Sequence, residues 1–336
     1  MSCVKILSRE SLRVAVVGLG KMGLLHAGIL NTLPDVQLTA LCDKSAMIRK
    51  FCKRVFDGVH LVDDVEELSD LHLDAVYVTT PISSHFLVIK TVYSKGIARN
   101  LFVEKTLASS YDKANELCKL AQSFGGVNMV GYQRRLTVSF SKAKDLLNHE
   151  IIGQVASFKA YAYSSDLLGN RKNSKTSAFR GGVLRDLGAH VVDLALWFFG
   201  DLTVDSAKAE SVTERDSGDS VHFRVKGSNG LDGEFDTSWC MENYRLPEFG
   251  LLIKGSKGIM RVDEDKVELK LDNGKSSTWY RHDLNDNVDF LLGAPEFSRE
   301  DQYFVKSVLK GCNAEPSFCT ASKVDYIIDQ VERGSG

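Results

Sequence analysis

No apolar run in this 336-residue chain reaches the roughly 20 residues that a membrane-spanning helix needs. The expectation is a protein with no membrane partner. The first ten residues, Met1 to Glu10, hold no apolar signal-peptide core, which predicts a cytoplasmic location. Neither sign of charge dominates: 42 Lys and Arg stand against 44 Asp and Glu, a formal net charge of -2. That balance argues against nucleic acid or an anionic surface as partner. The seven cysteines are an odd count, and none form a Cys-x-x-Cys pair. The absent pattern argues against a zinc site or a disulfide scaffold, so no metal is expected and the thiols are predicted to be reduced. Low-complexity tracts and fixed-period repeats are missing too. What is present is ordinary for a globular chain: 43% hydrophobic and 26% charged residues, at a length that suggests two domains.

From Leu12 to Gly131, short β-rich runs alternate with helical ones. Strands are predicted at 12–17, 37–42, 74–79, 100–104 and 127–131. Several are continuous Val, Leu and Ala runs, the composition of strands buried on both faces of a parallel sheet. This order predicts an α/β architecture whose first domain, residues 1–132, is a doubly wound Rossmann sheet. The pattern then changes. A helix near 138–147 and a strand at 155–163 precede a polar loop and an apolar helix over 182–200. Runs between Val204 and Tyr280 read as strands of a large, mostly antiparallel sheet, with Gly, Asn and Asp in the turns. Helices near 299–309, with Ser298 as N-cap, and 321–331 close a second α/β domain, residues 133–336.

Val14-Ala15-Val16-Val17 leads into Gly18-Leu19-Gly20-Lys21-Met22-Gly23 and then an apolar helix. In that context the three glycines have distinct physical tasks. Gly18 permits the tight turn, Gly20 lets the backbone approach a pyrophosphate, and Gly23 allows close helix–strand packing. The helix N-terminus offers its unpaired N–H groups to the phosphates. Asp43 ends the second strand about 20 residues later, where a carboxylate bonds ribose hydroxyls and repels a 2′-phosphate. NAD is therefore expected over NADP. Two more segments lie at the carboxyl ends of predicted parallel strands, where such sheets bind ligands. They place Thr80, Pro81 and His85, and Glu104 and Lys105, at the cofactor.

The helix over 182–200 is apolar nearly all round, yet Asp186, His190 and Asp193 recur along one stripe. Buried carboxylates and imidazoles are costly unless paired or turned to a working cavity. The stripe is either a satisfied polar cluster in a core or an Asp-oriented histidine that transfers protons.

With these pieces the chain resembles the glucose-fructose oxidoreductase/inositol dehydrogenase family (Gfo/Idh/MocA). The marks are the glycine fingerprint followed by His26-Ala27, the Thr80-Pro81 loop ending in His85, Glu104-Lys105, Gly131-Tyr132-Gln133-Arg134-Arg135, and Gly181-Gly182 leading to Asp186-x-Gly-x-His190. The resemblance implies a catalytic trio at Lys105, Asp186 and His190. It also implies a C-terminal sheet that serves association into a homodimer or homotetramer. In such an enzyme His190 takes the proton of a secondary alcohol, Asp186 orients the imidazole, and Lys105 stabilises the developing alkoxide. Tyr132, Tyr163, Arg180 and Asp193 are weaker candidates for substrate hydroxyls. The expected substrate is a sugar, a polyol or a nucleotide-linked sugar. Alternatives are an enzyme that keeps its nucleotide and shuttles hydride between sugars, or a non-catalytic dinucleotide sensor. One residue departs from the family pattern: Thr106 replaces a proline. A proline tolerates a cis bond and other residues do not, so a trans Lys105–Thr106 bond is expected. Apolar residues of the second sheet, such as Phe235, Trp239, Leu251 and Ile253, are expected to exceed what one layer of helices hides and to form the association face.

Overall fold

Strands that are apolar on both faces need cover on both, and a parallel α/β sheet supplies it. A computed structural model of the chain describes residues 11–168, 181–210 and 219–334. Two units appear. The first comprises Met1–Ala108, Asp112–Gly131 and Val288–Thr320; the second comprises Ser109–Tyr111, Tyr132–Asn287 and Ala321–Gly336.

The first unit runs β1 (Leu12–Val17), α1 (Lys21–Leu30), β2 (Val36–Cys42), α2 (Ala46–Val55), β3 (His60–Val62), β4 (Ala75–Val78), α3 (Ile82–Ser94), β5 (Asn100–Glu104), α4 (Tyr111–Phe124) and β6 (Asn128–Gly131). The strands pair in parallel in the order β3-β2-β1-β4-β5-β6. β3 is a three-residue edge strand, too short to show a period in the sequence. The order reverses beside β1, which makes the carboxyl ends of β1 and β4 the ligand edge. The core holds Val14, Val16, Leu41, Tyr77 and Phe102, all fully buried. A late helix, α7 (Pro295–Lys310 by position in the chain), returns to this unit. Its Phe304 packs edge-on against Tyr77 at 5.4 Å and Phe102 at 5.8 Å. This helix starts at Pro295, not after Ser298 as expected. Proline's fixed φ suits a first helical turn, and Ser298 lies buried within the helix.

Cys118 on α4 and Cys319 form a disulfide, with Cα atoms 4.8 Å apart. This corrects the expectation that all thiols are reduced. A separation of 201 residues carries no spacing signal, and only the packing of helices brings the pair together. Among the described residues, Cys42, Cys52, Cys240 and Cys312 are free thiols. No helix of the described residues is long and apolar enough to cross a membrane, and no group of side chains there could hold a metal ion.

The second unit contains α5 (Val138–Asn148), β7 (Val155–Tyr163), a π-helical turn at Leu184–Gly188, α6 (Ala189–Phe199) and strands β8 (Leu202–Glu210), β9 (Ser220–Gly227), β10 (Asp232–Ser238), β11 (Glu248–Gly255), β12 (Gly258–Asp263), β13 (Lys266–Leu271) and β14 (Ser276–Tyr280). They form one sheet in the order β14-β13-β12-β11-β7-β10-β9-β8, antiparallel except where β7 meets β10. Side chains alternate along β7. Phe158 stacks on Phe199 of α6 at 4.3 Å, so Ala160 and Ala162 face the helix and Tyr161 and Tyr163 face away. Phe235, Trp239, Leu251 and Ile253 are no more than 2% exposed. They are already covered within one chain, which corrects the expectation that they form an association face.

The last helix, α8 (Phe318–Gly334), contributes its residues from Ala321 onward to this unit. Arg185 of the π turn binds three of its carboxylates: Asp325 at 3.3 Å, Asp329 at 2.6 Å and Glu332 at 3.0 Å. Arg185 is buried, and removing it strands charges away from water. Breaking a buried pair on one side costs about 3–5 kcal/mol. Arg185→Ala is therefore expected to lower the denaturation midpoint sharply, whereas Lys90→Ala, which breaks an exposed pair with Glu116, leaves it nearly unchanged. Circular dichroism in urea checks both.

Candidate active site

The glycine turn is as the fingerprint requires. Gly18 adopts φ +93°, and a Cβ there would come within 2.7 Å of the Thr80 backbone nitrogen. A Cβ on Gly23 would lie 1.8 Å from the Gly18 carbonyl oxygen, so no side chain fits between strand and helix. Gly20 is different: nothing lies within 4 Å of its Cβ position. It is exposed and precedes α1, whose first-turn N–H groups at Lys21 and Met22 no side chain caps. A cradle of this kind fits a pyrophosphate.

Asp43 lies beside it. One carboxylate oxygen accepts from Leu19 N–H at 2.7 Å and the other from Ser45 N–H at 2.8 Å. The side chain is thus pinned, and each oxygen keeps a further lone pair for a ribose hydroxyl. A cavity of about 560 Å³ opens here, lined by Gly18, Asp43, Asp63, Asp64, Thr80 and Pro81 among others. Its field is negative. Burial, and then the carboxylates of Asp64 and Asp43, push the Cys42 thiol up to about 12.

Thr79 binds the glycine turn, its Oγ1 donating to the Gly18 carbonyl at 2.6 Å, and Thr80 packs closely over Gly18. Pro81 caps α3. His85 is fully buried, and its ring spans the carbonyls of Thr80 at 2.8 Å and Thr106 at 3.0 Å. Burial holds it below the usual histidine value. His85 therefore ties two ligand-edge loops together. The Lys105–Thr106 peptide is cis, which corrects the expectation of trans. Thr106 is held on both its oxygens, by His85 at the carbonyl and by donating Oγ1 to the Ala108 carbonyl at 3.1 Å. These local bonds stand where the family pattern has a proline ring. Glu104 is turned to His26 at 3.0 Å and accepts from the Lys105 N–H at 3.1 Å. Its carboxylate thus faces the interior of the unit.

In the second unit, the π turn replaces the uniform helix expected over 182–200. Such turns insert an extra residue and commonly mark functional sites. Asp186 lies on it, half-buried, and accepts from the Trp239 indole N–H at 3.3 Å. His190 follows on α6, 5% exposed. Its ring meets Phe249 edge-on at 5.3 Å and Tyr132 at 6.2 Å. Arg134 lies over the other aromatic contact, 3.4 Å from the Phe249 ring centre, and pairs with Glu264. Tyr132 is fully buried, and burial pushes its phenol well above the usual tyrosine value. Its hydroxyl has no hydrogen-bond partner among the described residues.

Two substrate candidates do not join this group. Asp193 is 1% exposed and accepts both Nε and Nη2 of Arg135, at 2.8 and 2.6 Å, so it secures α6 from within. Tyr163 donates to Asp236 at 2.8 Å on the sheet face turned away from α6. The period-two pleat of β7 decides that, and the sequence reading did not apply it. Arg180 lies outside the described residues. In the sequence Trp239 stands out only as an apolar sheet residue and Arg135 only as the end of the 131–135 family mark, and nothing local marks Phe249.

A glycine-cradled helix N-terminus at the switch point of a parallel sheet defines a dinucleotide-binding protein. Residues 12–132 match the oxidoreductase family with an NAD-binding Rossmann fold, and residues 140–261 match the GFO/IDH/MocA C-terminal domain. The chain belongs to the GFO/IDH/MocA family and is an NAD-binding oxidoreductase. It is similar to inositol 2-dehydrogenase of Rhizobium meliloti (strain 1021), 24% identical over 322 residues, covering 91% of this chain and 92% of the relative. D-glucoside 3-dehydrogenase of Escherichia coli (strain K12) is 24% identical over 262 residues, covering 76% of this chain and 71% of the relative. The solved structure of levoglucosan dehydrogenase in complex with NADH and levoglucosan superposes with a TM-score of 0.85 at 19% identity, covering 97% of each chain.

One feature of the first unit is testable by pH. His26 is fully buried between Asp301 at 2.8 Å and Glu104 at 3.0 Å, among the rings of Tyr77, Phe102 and Phe297. Burial alone depresses a histidine, but the Asp301 and Glu104 carboxylates outweigh it and hold His26 well above 6.5. A histidine with a raised folded value contributes stability in full below its unfolded value, and loses it as pH rises through the folded one. The melting temperature is expected to fall as pH rises from 6.5 into the alkaline range. His26→Gln is expected to flatten that slope in the same scan.

Proposed function

We propose that this protein is a dehydrogenase that oxidises a secondary hydroxyl of a sugar or polyol, such as an inositol, with NAD as hydride acceptor. The observation that carries the proposal is the π turn, which sets Asp186 against Trp239 one turn before the buried His190. A core cluster needs no such irregularity.

The residues of the first unit fit the dinucleotide. Gly18, Gly20 and Gly23 with the N–H groups at Lys21 and Met22 hold the pyrophosphate, and Asp43 accepts from the ribose hydroxyls. Asp63, Asp64 and Glu66 line the same cavity with Asp43, against the single cation of Lys44, so a 2′-phosphate meets an excess of carboxylates and NAD is preferred to NADP. Thr80 and Pro81 border the cofactor. Bound NAD supplies the hydride acceptor at carbon. His190 accepts the hydroxyl proton as a general base. Asp186 keeps the imidazole oriented. Lys105 donates to the reacting oxygen and stabilises negative charge as it develops. Tyr132 is the substrate-binding candidate that stays beside His190.

The relatives named for inositol and D-glucoside support the substrate class. A panel of myo-inositol, methyl glucosides, free sugars and nucleotide sugars, read by NADH absorbance, identifies the member. On the best substrate, His190→Ala is expected to lower turnover by about 10²–10⁴-fold. NAD affinity, titrated by fluorescence beside NADP, stays within a few-fold. Near wild-type turnover in folded His190→Ala would sink the assignment.

We also propose a homodimer or homotetramer. The surface that serves it is the β7–β10 face bearing Lys159, Glu234 and His222, which are joined in ion pairs. Light scattering is expected to give at least twice the 37.2 kDa chain mass, and a monomer at micromolar concentration rules the proposal out.

A further inference from the structure

The chemistry above uses the side chain of Lys105 and leaves a buried polar chain behind it unexplained. Asp301 and Glu300 lie on α7, His26 on α1 and Glu104 at the end of β5, all within the first unit. His26, Glu300 and Asp301 are fully buried. Neither oxygen of Glu300 has a hydrogen-bond partner among the described residues, and burial raises its carboxyl well above the usual value. The remaining groups form one directed series. Asp301 Oδ1 accepts from His26 Nδ1 at 2.8 Å. Glu104 Oε1 accepts from His26 Nε2 at 3.0 Å. Glu104 Oε2 accepts from the backbone N–H of Lys105 at 3.1 Å.

A cluster that served packing alone would close on itself. This one ends on a main-chain atom of the residue assigned to the reacting oxygen. Both ring nitrogens of His26 lie within hydrogen-bond distance of a carboxyl oxygen, one on Asp301 and one on Glu104, so the orientation of the ring fixes theirs. Three aromatic rings hold its plane, Phe102 at 5.0 Å, Tyr77 at 5.7 Å and Phe297 at 6.2 Å. The far side of the same segment is held by His85 at the Thr106 carbonyl. The Lys105 peptide is thereby gripped at its amide and at the next carbonyl.

We propose that Asp301 is a positioning residue which, through His26 and Glu104, fixes the Lys105 backbone and so the reach of its ammonium group. The proposal rests on the reading of Lys105 as the group at the reacting oxygen. Asp301 is 196 positions further along the chain, on a helix that returns to the first unit only after the second has been traversed. Misplacing a catalytic group by about 1 Å can cost 10²-fold in rate, so a residue that touches no ligand can matter this much.

The test separates positioning from catalysis. Protein labelled with ¹⁵N-lysine gives one amide signal for Lys105, assigned by its loss in Lys105→Arg. Asp301→Asn, which keeps the volume, and His26→Gln are both expected to move that signal upfield. Glu116→Gln, on an exposed pair with Lys90, is expected to leave it in place. In the wild type the signal moves as pH rises through the titration of His26, and in His26→Gln it does not. With myo-inositol as probe, turnover of Asp301→Asn falls by roughly 10–10²-fold while the dissociation constant for NAD stays within about twofold. A Lys105 signal unmoved in Asp301→Asn overturns the proposal, whatever the kinetics. If the signal moves and Lys105→Arg still oxidises myo-inositol at the wild-type rate, the positioning stands and the catalytic reading of Lys105 falls instead.

Discussion

A main chain that must come into contact with a phosphate cannot carry side chains at the point of approach. The turn after β1 meets that constraint at three places and in three ways. Gly18 takes a φ of +93°, and Gly23 touches the Gly18 carbonyl where a Cβ would stand at 1.8 Å. Gly20 is open to solvent on its Cβ side. The packing of α1 on the sheet, the lack of a side-chain cap on its first-turn N–H groups and the pinning of Asp43 by Leu19 N–H all follow from that close approach. So does the placing of Thr79 and Thr80 against the turn.

Around this turn and around the helix of the second unit, the chain uses buried charge to secure what apolar packing alone would leave loose. Arg135 grips Asp193 with two bonds, Arg185 gathers three carboxylates of α8, and His26 sits between Asp301 and Glu104. Buried ion pairs contribute little net stability against apolar replacements, because desolvation offsets their attraction. Their value is directional. Each fixes the orientation of one segment: α6, which bears His190, the π turn bearing Asp186, and the strand end bearing Lys105.

Much of this site was legible in the residues themselves. The strand–glycine–helix pattern located the dinucleotide turn, and the continuous apolar strands announced a sheet covered on both faces. The stripe through Asp186 and His190 stood out because charge on an apolar helix is expensive. Other side chains are engaged in ways that the sequence does not announce. Asp193 shares the stripe but is spent on Arg135, a partner 58 positions away. Tyr163 has the right chemistry and the wrong parity on β7. Thr106 lacks the proline ring, yet its peptide is cis and its oxygens are held by His85 and Ala108, whose contributions depend on other strand ends. Cys118 and Cys319 meet across two helices with no spacing to announce it.

Local pattern and backbone sterics are properties of neighbouring residues, and so the sequence alone determined the two kinds of sheet, the glycine turn, the acid at the end of β2 and the polar stripe ahead of Trp197. The pairing of side chains distant in the chain depends on which helix covers which strand. Only the tertiary structure could decide that α7 returns to the first unit to set Asp301 on His26, that a π turn sets Asp186 against Trp239, and that Asp193 of α6 is bound by Arg135. Each of those outcomes is a contact between segments separated by tens to hundreds of residues, and a hydrogen bond reaches only about 3 Å.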